Sequence, residues 1–325
     1  MLIMKIPFLS TFLKPSKHVS AGFVVTVSGN NLFCVQVKNL AGRPRVETYA
    51  HHQLQGAGSS GFTSAVLDKI RKGMGLGQYR FSTLLSPGEY QLLQMEAPNV
   101  PAEELKSAVR WSIKDLLSFH VDEAIIDVLQ IPTDSAAGER KKNVYVVAAS
   151  SAVIKKRSEL FQHAHMNLHI IDIPEMAQRN IAALYEKEGR ALALLAFDDN
   201  GGLLTFTSGG ELYLARRIDI SIGQLQDANE TIRNQFLERL ELEMQRSIDH
   251  FDRQYSYVSV NRLLVSAPQS LNLVGLLAAS LGLPVENLVI SEVMDLGTSP
   301  ELKNEETQVY ALQALGAALR QESQA

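Results

Sequence analysis

The chain has 325 residues, 46% of them hydrophobic and 20% charged, which is the balance of a folded globular protein. Its net charge of −4 gives no overall case for nucleic-acid binding, and its single cysteine, Cys34, excludes an intramolecular disulfide. No run of about 18 apolar residues occurs, so we expect no membrane-spanning helix. These numbers predict one large or two ordinary domains in a reducing compartment.

The first part of the chain is basic, although the whole chain is acidic. Residues 1–46 hold six Lys or Arg side chains and neither Asp nor Glu, so their net charge is +6. Residues 1–17 are also apolar, but Pro7 interrupts any continuous helix there. Two interpretations stay open: an acidic partner or anionic membrane surface for this segment, or strands that carry a few exposed bases.

The first half of the chain predicts three strands followed by alternating helices and strands. Gly29-Asn30-Asn31 is a strong turn signal between the first two strands. We predict strands at 20–28, 32–38, 46–49, 80–85, 121–131, 144–149 and 168–173. We predict helices at 62–72, 102–118 and 152–163 and from Pro174 to about Glu186.

The second half repeats the same order of elements. We predict strands at 191–197, 203–207, 212–217, 262–266 and 288–290. We predict helices at 227–253, 270–281 and 305–321. Each half therefore opens with three strands and a helix, although the two halves share negligible sequence identity. This order is typical of paired ribonuclease-H-like units, which build the actin-like ATPases.

Residues 98–131 carry the most specific pattern in the chain. It consists of an acidic residue and Leu, then Ala and Trp, then an aromatic residue before a short acidic turn and a strand that ends in Asp. The matching residues are Glu104, Leu105, Ala108, Trp111, Phe119, Asp122, Glu123 and Asp127. This pattern resembles the inserted subdomain of the PilM family, actin-like cytoplasmic proteins of type IV pilus assembly.

Four further segments resemble this family in the same order along the chain. They are Asp172–Glu175, Gly210–Arg217, Leu240–Phe251 and Ala314–Arg320. Within the family the sequence is most similar to the MshI branch, which serves pili of the mannose-sensitive haemagglutinin (MSHA) type. The resemblance spans nearly the whole chain, and its strength lies in the order of several modest motifs.

The resemblance implies an α/β, actin-like (ribonuclease-H-like) two-lobed fold with a small inserted α+β subdomain. We expect a first lobe at 1–188 with the insertion at about 91–143, and a second lobe at 189–325. We expect the terminal helix 305–321 to pack back on the first lobe.

The resemblance also implies a non-enzymatic scaffold at the cytoplasmic face of the inner membrane, in contact with other pilus assembly components. Its partner would be the short cytoplasmic tail of a PilN-type bitopic membrane protein, held in a groove beside the insertion. The predicted anchors for that tail are Leu116, Leu117 and Phe119, with Trp111 as a weaker one. The alternative for each of the four is ordinary core packing.

The resemblance leads us to look for a nucleotide site, but the sequence departs from the actin-like pattern. No carboxylate precedes Glu47, so the first hairpin has no acid for Mg²⁺. The segment expected to contact adenosine holds Ala267 and Pro268 instead of glycines. Only Asp198, Asp199 and Gly201 remain as a phosphate-hairpin remnant, and an ordinary polar turn explains them as well. We therefore expect no catalytic residues, no metal and no cofactor, ATP included.

Two alternatives keep the fold and change the function. The first is an active actin-like ATPase, which an acid in the first hairpin and a Gly-Gly adenosine loop would mark. The second is the cytoplasmic part of a type II secretion L-type protein, a relative that continues into a membrane helix. His163, His165 and His169 have metal-like spacing, but they straddle a predicted helix end and strand, which favours incidental surface histidines.

Overall fold

A computed structural model describes residues 22–40, 42–55, 61–77, 79–133, 142–198 and 200–320. The basic leader 1–17 and Asp199 of the remnant hairpin lie outside these residues. In the described part, no helix is both long and apolar enough to cross a membrane.

Thirteen strands and eight α-helices form the described part of the chain. The strands are β1 (Phe23–Ser28), β2 (Asn31–Leu40), β3 (Arg43–Gln53), β4 (Arg80–Leu84), β5 (Gln91–Glu96), β6 (Ala124–Gln130), β7 (Asn143–Ser150), β8 (Asn167–Asp172), β9 (Ala191–Asp198), β10 (Gly201–Ser208), β11 (Glu211–Ile218), β12 (Val260–Ser266) and β13 (Val285–Asn287). The helices are α1 (Ser64–Gly73), α2 (Leu105–Ser112), α3 (Ser151–His163), α4 (Pro174–Ala182), α5 (Ile222–Leu225), α6 (Glu230–Gln254), α7 (Leu273–Leu281) and α8 (Glu305–Ala318).

Two five-stranded sheets share one strand order. The first has the order β3-β2-β1-β4-β8, and the second has the order β11-β10-β9-β12-β13. In each sheet the first strand of a meander pairs in parallel with the strand that follows the meander in sequence, as β1 does with β4 and β9 with β12. The repetition predicted from element order is therefore confirmed at the level of sheet topology.

Residue contacts divide the chain into two compact units. Among the described residues, the first contains residues 22–32 together with Gln53–Pro174, and the second contains Phe33–His52 together with Glu175–Arg320. The lobe boundary expected between 188 and 189 stays a prediction.

Within the second unit, α8 packs closely on α4. A Cβ atom at Gly316 would collide with the carbonyl oxygen of Ala177, and Asn180 Nδ2 donates to the Gly316 carbonyl at 2.9 Å. Gln178 is fully buried, and its Nε2 donates to the carbonyls of Leu194 and Leu203 at 2.8 and 2.9 Å. A buried amide that is bonded in this way ties α4 to the strands β9 and β10, since leaving it unpaired would destabilise the fold.

The third sheet belongs to a small subdomain inside the first unit. Its order is β5-β7-β6, and both pairings are antiparallel. Its core is a cluster of apolar side chains from α2, β6 and β7. The fully buried members include Val109, Ile113, Val146 and Ala148. The central strand of this sheet is β7, which ends at Ser150. The sheet therefore extends past residue 143, near which we expected the insertion to end.

The helix predicted over 102–118 is shorter than its apolar spacing indicates. It runs only from Leu105 to Ser112, after a turn in which Glu104 N–H donates to the Pro101 carbonyl at 3.0 Å. Ile113 is fully buried, whereas Leu116 is 58% exposed. The chain leaves the helix after Ile113 because the half-buried Leu117 and Phe119 return to the subdomain core.

Two other predicted elements differ at their ends. The strand expected at 288–290 lies instead at 285–287, and residues 290–292 form a 3₁₀ turn. The helix expected from 270 begins at Leu273, because Asn272 adopts a left-handed conformation (φ 48°) that ends the preceding 3₁₀ turn. Strand β5 was not among the predicted strands, and it completes the subdomain sheet.

Candidate functional site

The four predicted anchors lie on the subdomain, but their environments differ. Trp111 is 66% exposed on the outer face of α2, and Leu116 is 58% exposed in the turn after that helix. Leu117 and Phe119 are half-buried and pack against the subdomain core. Trp111 and Leu116 therefore have apolar surface available to a partner, whereas Leu117 and Phe119 also support the fold.

The loop that carries these anchors is fixed by side-chain hydrogen bonds. Gln91 Oε1 accepts from Ser118 N–H at 2.9 Å and from Ser118 Oγ at 3.2 Å, and Gln91 Nε2 donates to the Leu116 carbonyl at 3.2 Å. Arg110 Nη1 donates to the Val121 carbonyl at 2.7 Å. Because both ends of the loop are bonded, Leu116 is presented from an ordered backbone, which lowers the entropic cost of binding.

Asp127, the last residue of the subdomain motif, fixes the position of α2. Its carboxylate is buried, and its Oδ1 lies 2.6 Å from Lys106 Nζ and accepts from Val128 N–H at 3.0 Å. An ion pair of this kind joins the helix to β6, since removal of one partner would leave a buried charge unpaired. The motif therefore includes residues that position α2 as well as residues that are available for binding.

The remnant hairpin between β9 and β10 is closed on itself. Asp198 Oδ1 accepts from the Asn200 N–H at 2.7 Å, the hydrogen bond of an Asx turn. Gly201 has φ +121°, and a Cβ atom there would lie 2.6 Å from the Ile218 carbonyl oxygen. The conformation of the turn therefore accounts for Asp198 and Gly201 without a bound phosphate.

Two of the motif segments meet near Asp198, although the sequence predicted no role for their side chains. Arg217 Nε lies 3.4 Å from Glu175 Oε1, and Glu175 is buried at the start of α4. Burial raises the pKa of Asp198 above its ordinary value, while the hydrogen bonds from Asn200 and the charge of Arg217 act in the opposite direction. The motifs around residues 175 and 217 therefore meet beside the hairpin. Their occurrence in one family pattern was the sequence signal that could have predicted this contact.

The two other segments examined for nucleotide chemistry offer no carboxylate. In β1 the acid expected near residues 24–26 is absent, and the buried side chains there are Val24, Val25 and Thr26. The segment after β12 places Pro268 at φ −53° and then closes into a 3₁₀ turn over Gln269–Leu271. The Gln269 side chain contacts the carboxylate of Glu305.

The remaining candidates show no chemical site. Cys34 is buried on β2, and desolvation raises its pKa to about 12, so its thiol stays protonated. Among the described residues, no group of three or more His, Cys, Asp or Glu side chains could hold a metal ion. His165 has a positive φ of 55° in the turn between α3 and β8.

The paired sheets and the inserted subdomain define the class of fold, which is actin-like. No protein-family model and no curated protein matches the chain. Among solved structures, it is similar to a chain of a PilM–PilN type IV pilus biogenesis complex, with 20% identity and a TM-score of 0.73. That match covers 92% of this chain and 98% of the other, and it confirms the predicted fold class.

Two more solved structures resemble the chain less. The cytoplasmic domain of EpsL, an inner membrane component of the type II secretion system of Vibrio cholerae, is 14% identical with a TM-score of 0.47, over 88% of this chain and 93% of that one. A Bacteroides thetaiotaomicron protein with an actin-like ATPase fold is 7% identical with a TM-score of 0.47 over the same shares.

Proposed function

We propose that this chain is a non-enzymatic cytoplasmic scaffold of a type IV pilus assembly system, and that it binds the short cytoplasmic tail of a PilN-type inner-membrane protein. The observation that carries the proposal is the likeness in fold to a PilM–PilN complex over 92% of the chain. The motifs quoted from residues 98–131 support the same assignment.

The subdomain surface supports a binding role. Trp111 and Leu116 expose apolar area from a loop whose backbone is tied by Gln91, whereas the other large apolar side chains of the subdomain are buried or half-buried. Exposed aromatic and aliphatic side chains on an ordered backbone are typical anchors of protein–protein interfaces. In this proposal the tail covers Trp111 and Leu116 and also touches the exposed parts of Leu117 and Phe119.

The absence of enzymatic activity is part of the proposal. A magnesium nucleotide needs carboxylates and free backbone N–H groups, and here Asp198 already accepts a hydrogen bond from its own turn. The first strand carries no acid near residues 24–26, and Pro268 removes a backbone donor.

The pilus subtype and the cellular location extend the proposal further. The resemblance of the sequence to the MshI branch supports the MSHA type, and recruitment by the tail would hold the protein at the inner membrane as a peripheral component. Deleting residues 1–17 should therefore leave most of the protein in the membrane fraction while the partner is present. If the truncated protein becomes soluble and still binds the tail, the leader is the anchor.

Capture from native membranes tests the proposal. The tagged full-length chain, and the same chain with Trp111→Ala and Leu116→Ala, should be expressed from the native locus and purified in mild detergent. We expect the wild-type chain to recover a bitopic inner-membrane protein with a short cytoplasmic tail, and the double variant to recover much less of it. Recovery of no such protein by the wild-type chain would contradict the proposal.

A further inference from the structure

The subdomain holds most of the net negative charge of the chain. Residues 91–150 contain nine Asp or Glu and six Lys or Arg side chains, a net charge of −3, while the whole chain has −4. The segment that carries the exposed anchors is therefore acidic overall.

Two of these carboxylates stand beside the anchors. Glu104 precedes Trp111 by seven residues, which is two turns of helix, so both side chains point to the same side of α2. Asp115 is the exposed residue immediately before Leu116 in the turn after α2. Asp122 and Glu123 are exposed in the 3₁₀ turn that follows Phe119.

The cations nearby are largely occupied within the subdomain. Lys106 pairs with the buried Asp127, and Arg110 donates to the Val121 carbonyl. Lys114 is exposed and makes no ion pair with a described residue. In the same described part of the chain, Glu104 and Asp115 are exposed and also make no ion pair, so neither carboxylate is engaged within the protein.

We propose that this surface selects a basic partner segment: apolar side chains of the segment cover Trp111 and Leu116, and its Lys or Arg side chains pair with Glu104 and Asp115. The inference rests on the proposed function and adds the chemistry of the partner. Cytoplasmic segments next to a membrane helix carry an excess of Lys and Arg, so the proposed kind of partner supplies the complementary charge. Charge complementarity of this kind acts mainly on the association rate.

The test uses the full-length chain and a fluorescent synthetic peptide of the tail captured in the experiment above. Three chains are compared: wild type, the double reversal Glu104→Lys with Asp115→Lys, and a control reversal Glu238→Lys with Asp252→Lys. The control carboxylates are exposed on α6 and make no ion pair with a described residue. Both double variants replace two carboxylates with two lysines, so the change in total charge is identical. Stopped-flow anisotropy gives association and dissociation rates at low and high salt.

We expect the subdomain reversal to weaken binding by roughly tenfold or more, mostly through slower association, and to remove most of the salt dependence. The control reversal should stay within about threefold of wild type. If the peptide binds but both reversals behave alike, the tail is read by apolar contacts alone and this inference is wrong while the proposed function stands. If the wild-type chain binds no tail peptide at all, the proposed function fails, and this inference fails with it.

Discussion

The subdomain surface and the β9–β10 hairpin were both candidate sites in the sequence, the hairpin only as a remnant, and they differ in how many of their binding groups are already bonded within the protein. At the hairpin, the Asp198 carboxylate accepts a hydrogen bond from its own turn and lies in the field of Arg217. On the subdomain, Trp111 and Leu116 leave more than half of their side-chain surface in solvent. A residue type alone does not show this difference, because it depends on which neighbours the fold supplies.

The comparison shows that the loop after α2 combines a fixed backbone with exposed apolar side chains, which is what the proposed binding surface requires. Gln91 and Arg110 hold the loop after α2 by hydrogen bonds to its backbone. The exposed apolar side chains of the loop are therefore not needed to keep it in place. In the hairpin the side chain itself completes the turn. Four predictions separate these two situations.

The largest expected effect is at Gly201. Gly201→Ala should lower the free energy of unfolding by about 3 kcal/mol, because the backbone has φ +121° and the new Cβ would lie 2.6 Å from the Ile218 carbonyl oxygen. Gly209→Ala is the matched control: φ is +61° and no atom lies within 4 Å of its added Cβ, so about 1 kcal/mol is expected. Urea unfolding of the three proteins measures both values, and equal losses would show that the hairpin is not closed as described.

The second prediction concerns the exposed anchors. Trp111→Ala and Leu116→Ala should each weaken tail binding by roughly 1–3 kcal/mol and leave the melting temperature within a few degrees. Phe119→Ala should weaken binding as well, but it should also reduce stability by about 2 kcal/mol because half of the side chain packs on the subdomain core. Calorimetric titration and thermal unfolding give the two quantities. A large loss of stability in Trp111→Ala would assign that side chain to the core.

The third prediction uses pH to test the buried environment of Asp198. Burial raises its pKa in the folded state, so the folded protein favours the neutral acid. The contribution of this group to stability is therefore full below the unfolded-state pKa and is lost as the pH rises through the folded-state pKa. Relative to wild type, Asp198→Asn should gain stability as the pH is raised through the acidic range. A relative stability that is independent of pH, or one of opposite slope, would contradict this environment.

The smallest expected effect is that of nucleotide. Since β1 carries no acid and Asp198 accepts a hydrogen bond from Asn200, Mg²⁺-ATP should not bind with a dissociation constant tighter than about 100 µM, or about −5.5 kcal/mol. Isothermal titration of the full chain at physiological Mg²⁺ measures this directly. Saturable heat at lower nucleotide concentrations would make the hairpin, and not the subdomain, the principal site.

Much of the fold was predictable because turn signals and apolar periodicity are local. The turn signal at Gly29-Asn30 marked the hairpin between β1 and β2, and the polar residues that begin at Asp198 marked the hairpin between β9 and β10. The two three-stranded meanders implied the repeated sheet order. The end of α2 was not predictable, since Leu105, Val109, Ile113 and Leu116 keep helical spacing although the chain turns after Ile113. That turn depends on Gln91, more than twenty residues earlier, whose amide bonds the loop.

The site was predictable only in part for the same reason. The motif identified the segment from 98 to 131, but exposure separates Trp111 and Leu116 from the half-buried Leu117 and Phe119. Sequence placed Trp111 outside the apolar stripe of α2 and ranked it as a weaker anchor. Exposure is a property of the folded chain, and it makes Trp111 the most available of the four.

Hydrogen–deuterium exchange of the full-length chain, with and without the captured tail peptide, tests the central claim most directly. We expect slower exchange on tail binding in α2 and in the loop from residue 113 to residue 121, with no change in the β9–β10 hairpin. Protection in the hairpin, or protection elsewhere with none in α2 and its loop, would contradict the assignment of the subdomain as the binding surface.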